Sequence, residues 1–406
     1  MTLLIEPAAV PSPTADSVAQ RPGAGRLLTS DHATAADGLA LDEALMHRYG
    51  AVDPGAGTGE QDSGRNGGER HHPGPTVRLY TYADHCALVG RYQNVEAEVD
   101  LPAAAGLGVE VARRPTGGGA ILMGGGQLGV AVATRAAESE RPRAVLARMA
   151  QGVVRGLALA GVEATFGGKN DLEVAGRKIA GLGLYSDARG ALLFHASVLA
   201  DLDVELMLSV LRIPAAKLGR KGLATVAERV TTLSALTGER WDGARLRPLV
   251  VQGFESALGL TLDPSSPDDA ELAAARQLAE TKYGHGSWTG QRQIARDAVG
   301  TATVATSAGT VCCELSLQGD VIKSALVGGD FNVMPPELIA VEKALRWQRT
   351  DTQILLPRLE KALGGSDLVS PDSMLGAILD AAAGARRVES GAPERTGSCY
   401  FPEVSR

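Results

Sequence analysis

Arg113-Arg114-Pro115-Thr116-Gly117-Gly118-Gly119 and Lys169-Asn170-Asp171-Leu172-Glu173-Val174-Ala175-Gly176-Arg177-Lys178-Ile179-Ala180-Gly181 are the two stretches on which the reading of this chain turns. The first runs a pair of guanidiniums into consecutive glycines. A loop without Cβ atoms brings backbone N–H groups close to an anion. In the second, Leu172 to Val174 and Lys178 to Leu184 flank Ala175-Gly176, a pattern that predicts a β-hairpin. Such a hairpin sets an amide, a carboxylate and a lysine beside one another. Together the two stretches suit a site that handles a nucleotide phosphate and a carboxylate at once. Taken singly, the residues have simpler readings: Arg113 and Arg114 as solvated strand-end charges, Asp171 as a turn residue, His195 as a hydrogen-bonding core histidine.

Length and composition set the frame. At 406 residues the chain exceeds one ordinary domain, so two globular units with loose ends are expected. A hydrophobic fraction of 44% with 21% charged residues is that of a soluble globular protein. The net charge of −7 argues against nucleic acid or an anionic membrane as the main partner. No apolar run is long enough to span a bilayer, and Met1 to Pro13 lacks the basic end and apolar centre of an export signal. Cys86, Cys312, Cys313 and Cys399 show no metal-ligand spacing, and the adjacent Cys312-Cys313 is not a usual disulfide. The cytoplasm is the economical location.

Along the chain, residues 1–25 read as a disordered Ala/Pro/Ser-rich leader. Residues 26–262 form the first unit, interrupted at about 50–75 by a glycine-rich insertion whose His71-His72 pair has no partner ligand at a metal-binding interval. Within it the spacing predicts helices over Leu39 to Arg48, Arg141 to Leu159 and Leu246 to Leu258, the last with Pro248 in its first turn. Asp263-Pro264-Ser265-Ser266-Pro267 reads as a break, with Ser266 capping the next helix. A second unit over 268–385 follows, with strands across Thr301 to Val327, helices over Glu337 to Trp347, Thr352 to Leu363 and Pro371 to Ala383, and a loose tail over 386–406.

Several of these segments, in this order, resemble the lipoate–protein ligase A family within the biotin and lipoate ligase superfamily. Arg113 to Gly119 resembles the family's Arg-Arg-x-Ser/Thr-Gly-Gly-Gly loop. Gly90-Arg91-Tyr92-Gln93-Asn94 resembles its Gly-Arg-x-Gln-Asn, and Gly168-Lys169-Asn170-Asp171 its Gly-Arg-Asn-Asp. Lys178 falls on the lysine that reaches the acyl carbonyl and α-phosphate. Phe194-His195-Ala196-Ser197 replaces the family's His-His-Gly-Thr, so His195 alone carries over. Lys221-Gly222-Leu223, Glu228 to Leu233, Lys282-Tyr283 with Trp288, and Gly329-Asp330-Phe331 extend the match to about Ala383. The sequence departs from the family at Met123-Gly124, where His-Asp is usual.

The resemblance implies an α+β fold, a biotin/lipoate-ligase-like catalytic domain with a mixed β-sheet and packed helices, followed by a smaller α+β accessory domain. It implies Lys178 as the catalytic group. Arg91, Arg113, Arg114, Thr116, Gly117, Gly118, Gly119, Asn170, Asp171, Gly181 and His195 become acyl- or adenylate-binding residues, with Asn170 and Asp171 toward Mg²⁺. The implied reaction uses ATP to join lipoate, octanoate or a similar acid to a lysine of a lipoyl domain, in 2-oxoacid dehydrogenases or the glycine-cleavage H protein. Its rivals are an octanoyl or lipoyl transferase drawing on acyl carrier protein, and a non-catalytic acyl-binding homologue. A transferase of that kind passes the acyl group through a cysteine, and Cys86 is the one cysteine in the first unit.

Overall fold

The computed structural model describes residues 23–50, 74–135, 140–167, 170–212, 229–291, 299–331 and 333–389. Most of the expected leader, the body of the glycine-rich insertion with His71-His72, the segment holding Lys221 to Leu223, Lys169 and the end of the tail lie outside the described residues.

In chain order the first unit comprises β1 (Gly23–Ala33), α1 (Ala35–His47), β2 (Thr76–Tyr82), β3 (Cys86–Val89), α2 (Val95–Glu98), α3 (Leu101–Gly106), β4 (Glu110–Arg113), β5 (Ile121–Met123), β6 (Gln127–Arg135) and α4 (Pro142–Leu159). It continues with β7 (Thr165–Gly167), β8 (Asp171–Val174), β9 (Arg177–Ser186), β10 (Ala191–Leu199), α5 (Val204–Val210), α6 (Leu233–Thr237), α7 (Gly243–Leu258), β11 (Leu260–Pro264), α8 (Asp269–Leu278) and α9 (Gly286–Thr289). The main sheet has eight strands in the order β11-β1-β2-β6-β10-β9-β8-β7. Only the β11–β1 and β1–β2 pairings are parallel, so the sheet is mixed. Its central strands are buried along both faces: β2 and β10 expose no residue. β10 reads as a near-continuous apolar run, whereas β2 buries Thr76, Arg78 and Thr81 among its apolar residues. One face packs on α4 and α7 through Val130, Val132, Val153, Leu246 and Phe254. The other packs on α1 through Leu39, Leu45, Tyr80 and Leu193.

A small second sheet, β4-β3-β5, delivers Arg113 and the glycine loop to the edge of that second face. The accessory unit is a three-stranded antiparallel sheet of β12 (Val299–Ala305), β13 (Thr310–Gln318) and β14 (Val321–Gly329). It is covered by α10 (Pro336–Leu345), α11 (Thr352–Leu363) and α12 (Pro371–Glu389), and its core includes Leu315, Ile322, Val341, Leu359 and Ile378. Cys312 and Cys313 are buried within β13 as free thiols.

The expected break at Asp263 to Pro267 is not a boundary. Asp263 and Pro264 continue β11 beside Arg26 and Leu27 of β1, and Ser265 N–H donates to Leu27 O at 2.8 Å. Asp268, rather than Ser266, caps α8, with Glu271 completing a reciprocal capping box. The Glu271 carboxylate also takes a two-point contact from Arg26, at 2.6 and 2.9 Å. The contacts of α8 therefore tie it to the first unit, and the second unit's own core starts at β12 rather than at residue 268. Pro248 sits beyond the first turn of α7, which starts at Gly243 behind the Asp242 cap. The C-terminal helix runs to Glu389, so Arg386 lies in a helix where a loose tail was expected.

Packing of α4 on α7 depends on absent side chains. A Cβ at Gly253 would fall 2.1 Å from Gly152 O, and one at Gly152 would fall 2.4 Å from the Phe254 ring. Neither neighbour can move away without parting the helices. Gly253→Ala is therefore expected to cost about 3 kcal/mol, the upper part of the overpacking range. Thermal melting should show a drop of several degrees; an unchanged melting temperature would contradict so close a crossing.

Candidate active site

The predicted hairpin is formed by β8 and β9, with Ala175 (φ 50°) and Gly176 (φ 75°) in the left-handed conformations that a tight two-residue turn requires. Its pairing is irregular in a useful way. Leu172 pairs with Ala180 but Glu173 pairs with Lys178, so Ile179 is an extra residue in β9. Lys178 and Gly181 are an odd number of positions apart and would face opposite ways in a regular strand. The bulge turns Lys178 onto the Gly181 side. A Cβ placed on Gly181 would lie 3.0 Å from Lys178 Nζ and 3.3 Å from Ser197 Oγ. The lysine's ammonium therefore lies over the glycine, 2.7 Å from Asp171 Oδ1.

Across the next pairing, Gly181 stands opposite Ser197 and Gly183 opposite His195. Gly181 and Gly183 leave a trench in the sheet face. Thr116 of the glycine loop fills part of it, since a Cβ on Gly183 would meet Thr116 at 2.9 Å. The alternation Gly181-Leu182-Gly183 was the sequence signal for this trench, and only its first glycine entered the expected site. Asn170 is tied down at the trench edge. Its carbonyl accepts Leu182 N–H at 2.7 Å and its side-chain amide donates to Leu182 O at 3.1 Å.

The paired arginines have separate roles. Arg114 reaches back under its own loop, donating to Gly117 O, Gly119 O and Leu88 O at 2.7 to 3.2 Å, and it lines the cavity. Arg113 is fully buried and does not line it. Its guanidinium donates to Gly90 O, Gln93 O and Thr289 O at 2.6 to 2.8 Å, and the Trp288 indole donates back to Arg113 O at 2.8 Å. That arrangement clamps the Gly90–Asn94 segment and α9 to β4. Arg91 likewise stands apart from the cavity lining, its guanidinium 4.9 Å from the Tyr185 ring and 5.9 Å from those of Tyr92 and Trp288.

The loop itself is partly engaged. Gly118, at φ 94°, donates its N–H to Phe331 O of the accessory unit at 2.7 Å. Gly90 must be glycine, because a Cβ there would lie 1.9 Å from Gly118 O. Thr116 Oγ1 is buried with no hydrogen-bond partner among the described residues. A buried hydroxyl in that condition, on a cavity wall, is ready to bond a polar ligand atom.

Two adjoining spaces share Ile121, Lys178, Gly181 and Ser197. The inner one, about 50 Å³, runs between Leu39, Tyr80, Leu88, Met123 and His195. The outer one, about 290 Å³, is bounded by Asp171, Leu199, Leu202, Met207, Leu211 and Val230. Met123, where a histidine was the family norm, gives the inner wall a soft apolar surface. At Gly124 a Cβ would strike the His85 ring at 2.8 Å.

Behind the inner wall lies a group that sequence reasoning missed. His195 Nε2 is 3.0 Å from Asp42 Oδ2, and Asp42 Oδ1 accepts from Arg78 at 2.6 Å. Asp42 is fully buried and Arg78 is 1% exposed. Arg78 also donates to Gly38 O at 3.0 Å and Ser30 Oγ at 2.9 Å, and stacks 4.1 Å over the Tyr80 ring. Burial pushes the Asp42 carboxyl up, but Arg78 and His195 outweigh it and hold it below its ordinary value of 3.8. The signal was an aspartate on the inward side of α1, beside Leu39 and Leu45.

Removing one partner of such a pair strands the other, so Asp42→Asn should cost about 3–5 kcal/mol by leaving Arg78 uncompensated. Because the folded-state value is depressed, Asp42's contribution is fully present above the ordinary carboxylate value and is lost as pH falls through the depressed one. Urea titrations at pH 7 and near pH 3 should show the gap between parent and variant narrowing in acid. A constant gap would mean the pair is not ionised in the fold.

Cys86 lies in β3, 1% exposed, and burial raises its thiol well above the ordinary range. Among the described residues no group of three or more His, Cys, Asp or Glu side chains could hold a metal ion, and no helix is long and apolar enough to cross a membrane.

The Lipoyl protein ligase A/B catalytic domain family matches residues 35–255. The chain is 29% identical to Octanoyltransferase LipM of Symbiobacterium thermophilum over 288 residues, covering 65% of this chain and 97% of that protein. It is 28% identical over 223 residues to Lipoate-protein ligase A subunit 1 of Thermoplasma acidophilum, covering 53% of this chain and 84% of that one. The bipartite lipoate protein ligase structure from the same archaeon superposes with a TM-score of 0.56 at 25% identity, over 68% of this chain and 100% of that one. Plasmodium falciparum LipL1 shares the fold over 87% of this chain and 99% of its own, with a TM-score of 0.58 at 16% identity. With its matched segment holding six of the eight strands of the main sheet, the glycine loop and the lysine hairpin, the chain belongs to the lipoyl protein ligase A/B catalytic domain family.

Proposed function

We propose that this enzyme activates lipoate or a similar medium-chain acid with ATP and passes the acyl group to a lysine of a lipoyl domain. The observation that carries the reading is the pairing of Lys178 with a cavity lined by no thiol among the described residues. Among the described residues the cavity is lined by no cysteine, and Cys86 is buried in a strand with its thiol held protonated. In the first step a carboxylate oxygen of the acid attacks the α-phosphorus of ATP and pyrophosphate departs. The Lys178 ammonium stands where two anions must meet, and a fixed cation there favours the transition state over the separated reactants. Thr116 Oγ1 and the amides of the glycine loop bond the acyl-phosphate oxygens, and the apolar inner wall takes the chain. In the second step the amine nitrogen of the target lysine attacks the acyl carbonyl, AMP leaves, and the amine's proton goes to solvent.

Asp171 suits a Mg²⁺ ion carried on the phosphates, which ordinarily takes only one or two protein carboxylates. The ion would neutralise phosphate charge. Asn170, with its amide nitrogen spent on Leu182 O, has its side-chain oxygen left for that role.

A second reading is octanoyl transfer from acyl carrier protein through an enzyme thioester, which the name of the Symbiobacterium relative favours. The two differ in a thiol and a nucleotide. Pyrophosphate release should require both acid and ATP, and carrier acylation should survive serine replacement of Cys86, Cys312, Cys313 and Cys399 together. Lys178→Ala should lower pyrophosphate release by about 10²-fold or more with the melting temperature nearly unchanged. Acylation from octanoyl carrier protein without ATP, lost in a folded Cys86→Ser variant, would replace the ligase by the transferase.

A further inference from the structure

Val333, Ile339 and Trp347, 58%, 41% and 56% exposed, fall within one short span of the accessory unit. Single exposed apolar side chains need no explanation, but here one stands before α10, one on it and one after it, so they are spaced along one edge of the unit. On α10 the inward residues are Leu338, Val341 and Leu345, so Ile339 and Lys343, four apart, share the outward side. Beyond the helix the chain turns through Trp347 at φ 63°, a conformation costly for a bulky residue. Trp347 N–H donates to Ile322 O at 2.7 Å and Ile322 N–H to Gln348 O at 2.8 Å, so the exposed indole is presented from a pinned backbone.

Charge gathers around the indole. Lys343, Arg346 and Arg349 are all exposed. Asp320 stands 3.8 Å from Arg349 and 2.9 Å from Arg386, and Glu342 is turned inward to accept Val327 N–H at 2.8 Å. In a chain whose net charge is −7, Lys343, Arg346 and Arg349 outnumber the acids beside them, Asp320 and Asp351, so this end of α10 is net positive round a tryptophan. The other end of the span lies beside the active site. Val333 closely follows Phe331, whose carbonyl accepts from Gly118, and a Cβ on Gly118 would be 3.6 Å from the Asn170 amide.

We infer that this outward face of α10, from Val333 through Ile339 to Trp347, docks the protein whose lysine is acylated, and that the docking surface of that protein is acidic. The inference rests on acyl transfer to a protein lysine, by either activation chemistry. A face that starts at the glycine loop and extends along a helix suits a protein that must also insert a lysine there. Its basic end supplies the attraction that the enzyme's overall negative charge opposes.

The test uses the full chain and an unmodified lipoyl domain of a 2-oxoacid dehydrogenase. Trp347→Ala with Ile339→Asp should weaken calorimetric binding of that domain about tenfold, in line with loss of a central aromatic anchor. The KM for the domain should rise comparably, with kcat and pyrophosphate release from acid and ATP unchanged. Arg346→Glu with Arg349→Glu should weaken binding and flatten its salt dependence. Unchanged affinity in both variants would overturn the proposal. So would a parent that sediments as a dimer and a variant that sediments as a monomer with unaltered affinity, since the face would then join two copies. Absence of pyrophosphate release in the parent would sink the ATP reading and leave the binding result to stand by itself.

Discussion

Everything at the site depends on side chains that are not there. Gly181 and Gly183 occupy alternate positions of one central strand, and the space they vacate is taken by Lys178 of the same strand and by Thr116 of the glycine loop. The bulge at Ile179 lets Lys178 use that space, because without it the lysine and the trench would lie on opposite faces of the sheet. A methyl group at Gly181 would stand within 3.0 Å of the ammonium. The constraint is steric before it is electrostatic.

The two arginines ahead of the glycines show how far residue type alone can be read. Arg113 and Arg114 are adjacent, equally charged and both buried, yet one holds α9 and the other the glycine loop. Strand alternation separates them: neighbouring residues leave a strand on opposite sides. A sequence reader sees two cations and assigns both to a phosphate. In the fold both spend several N–H groups on backbone carbonyls, and only Arg114 retains a face on the cavity.

The hairpin was legible because Gly176 supplies the left-handed conformation its turn demands, between two runs of strand-forming residues, although Ala175 takes φ 50° against its own preference. The catalytic sheet and the accessory unit were legible as a succession of motifs. Their border was not, because Asp263 and Pro264 look like a linker while lying at an edge strand, where proline is tolerated. The fusion of α8 to the first unit is written in Arg26 and Glu271, partners far apart in sequence and invisible to any local pattern. Asp42 and Arg78 escaped notice for the same reason. Each is unremarkable until the sheet brings β2 under α1 and seals both from water.

The contact between Gly118 and Phe331 bears on how the two units share one site. A glycine loop binds anions through its amides, and here one of those amides is given to a carbonyl of the accessory unit. An uncharged carbonyl is a weaker acceptor than a phosphate or carboxylate oxygen, so a charged ligand at the loop would compete for that N–H on favourable terms. The same junction is held elsewhere by the Asn94 amide on Glu314 at 2.6 Å and by Gly329 N–H on Tyr92 O at 3.3 Å, contacts that no ligand in the cavity would touch. Loss of the Gly118 bond would leave those outer attachments in place. The glycine loop thus meets the cavity on one side, through Thr116 and Gly119, and the accessory unit on the other, through Gly118.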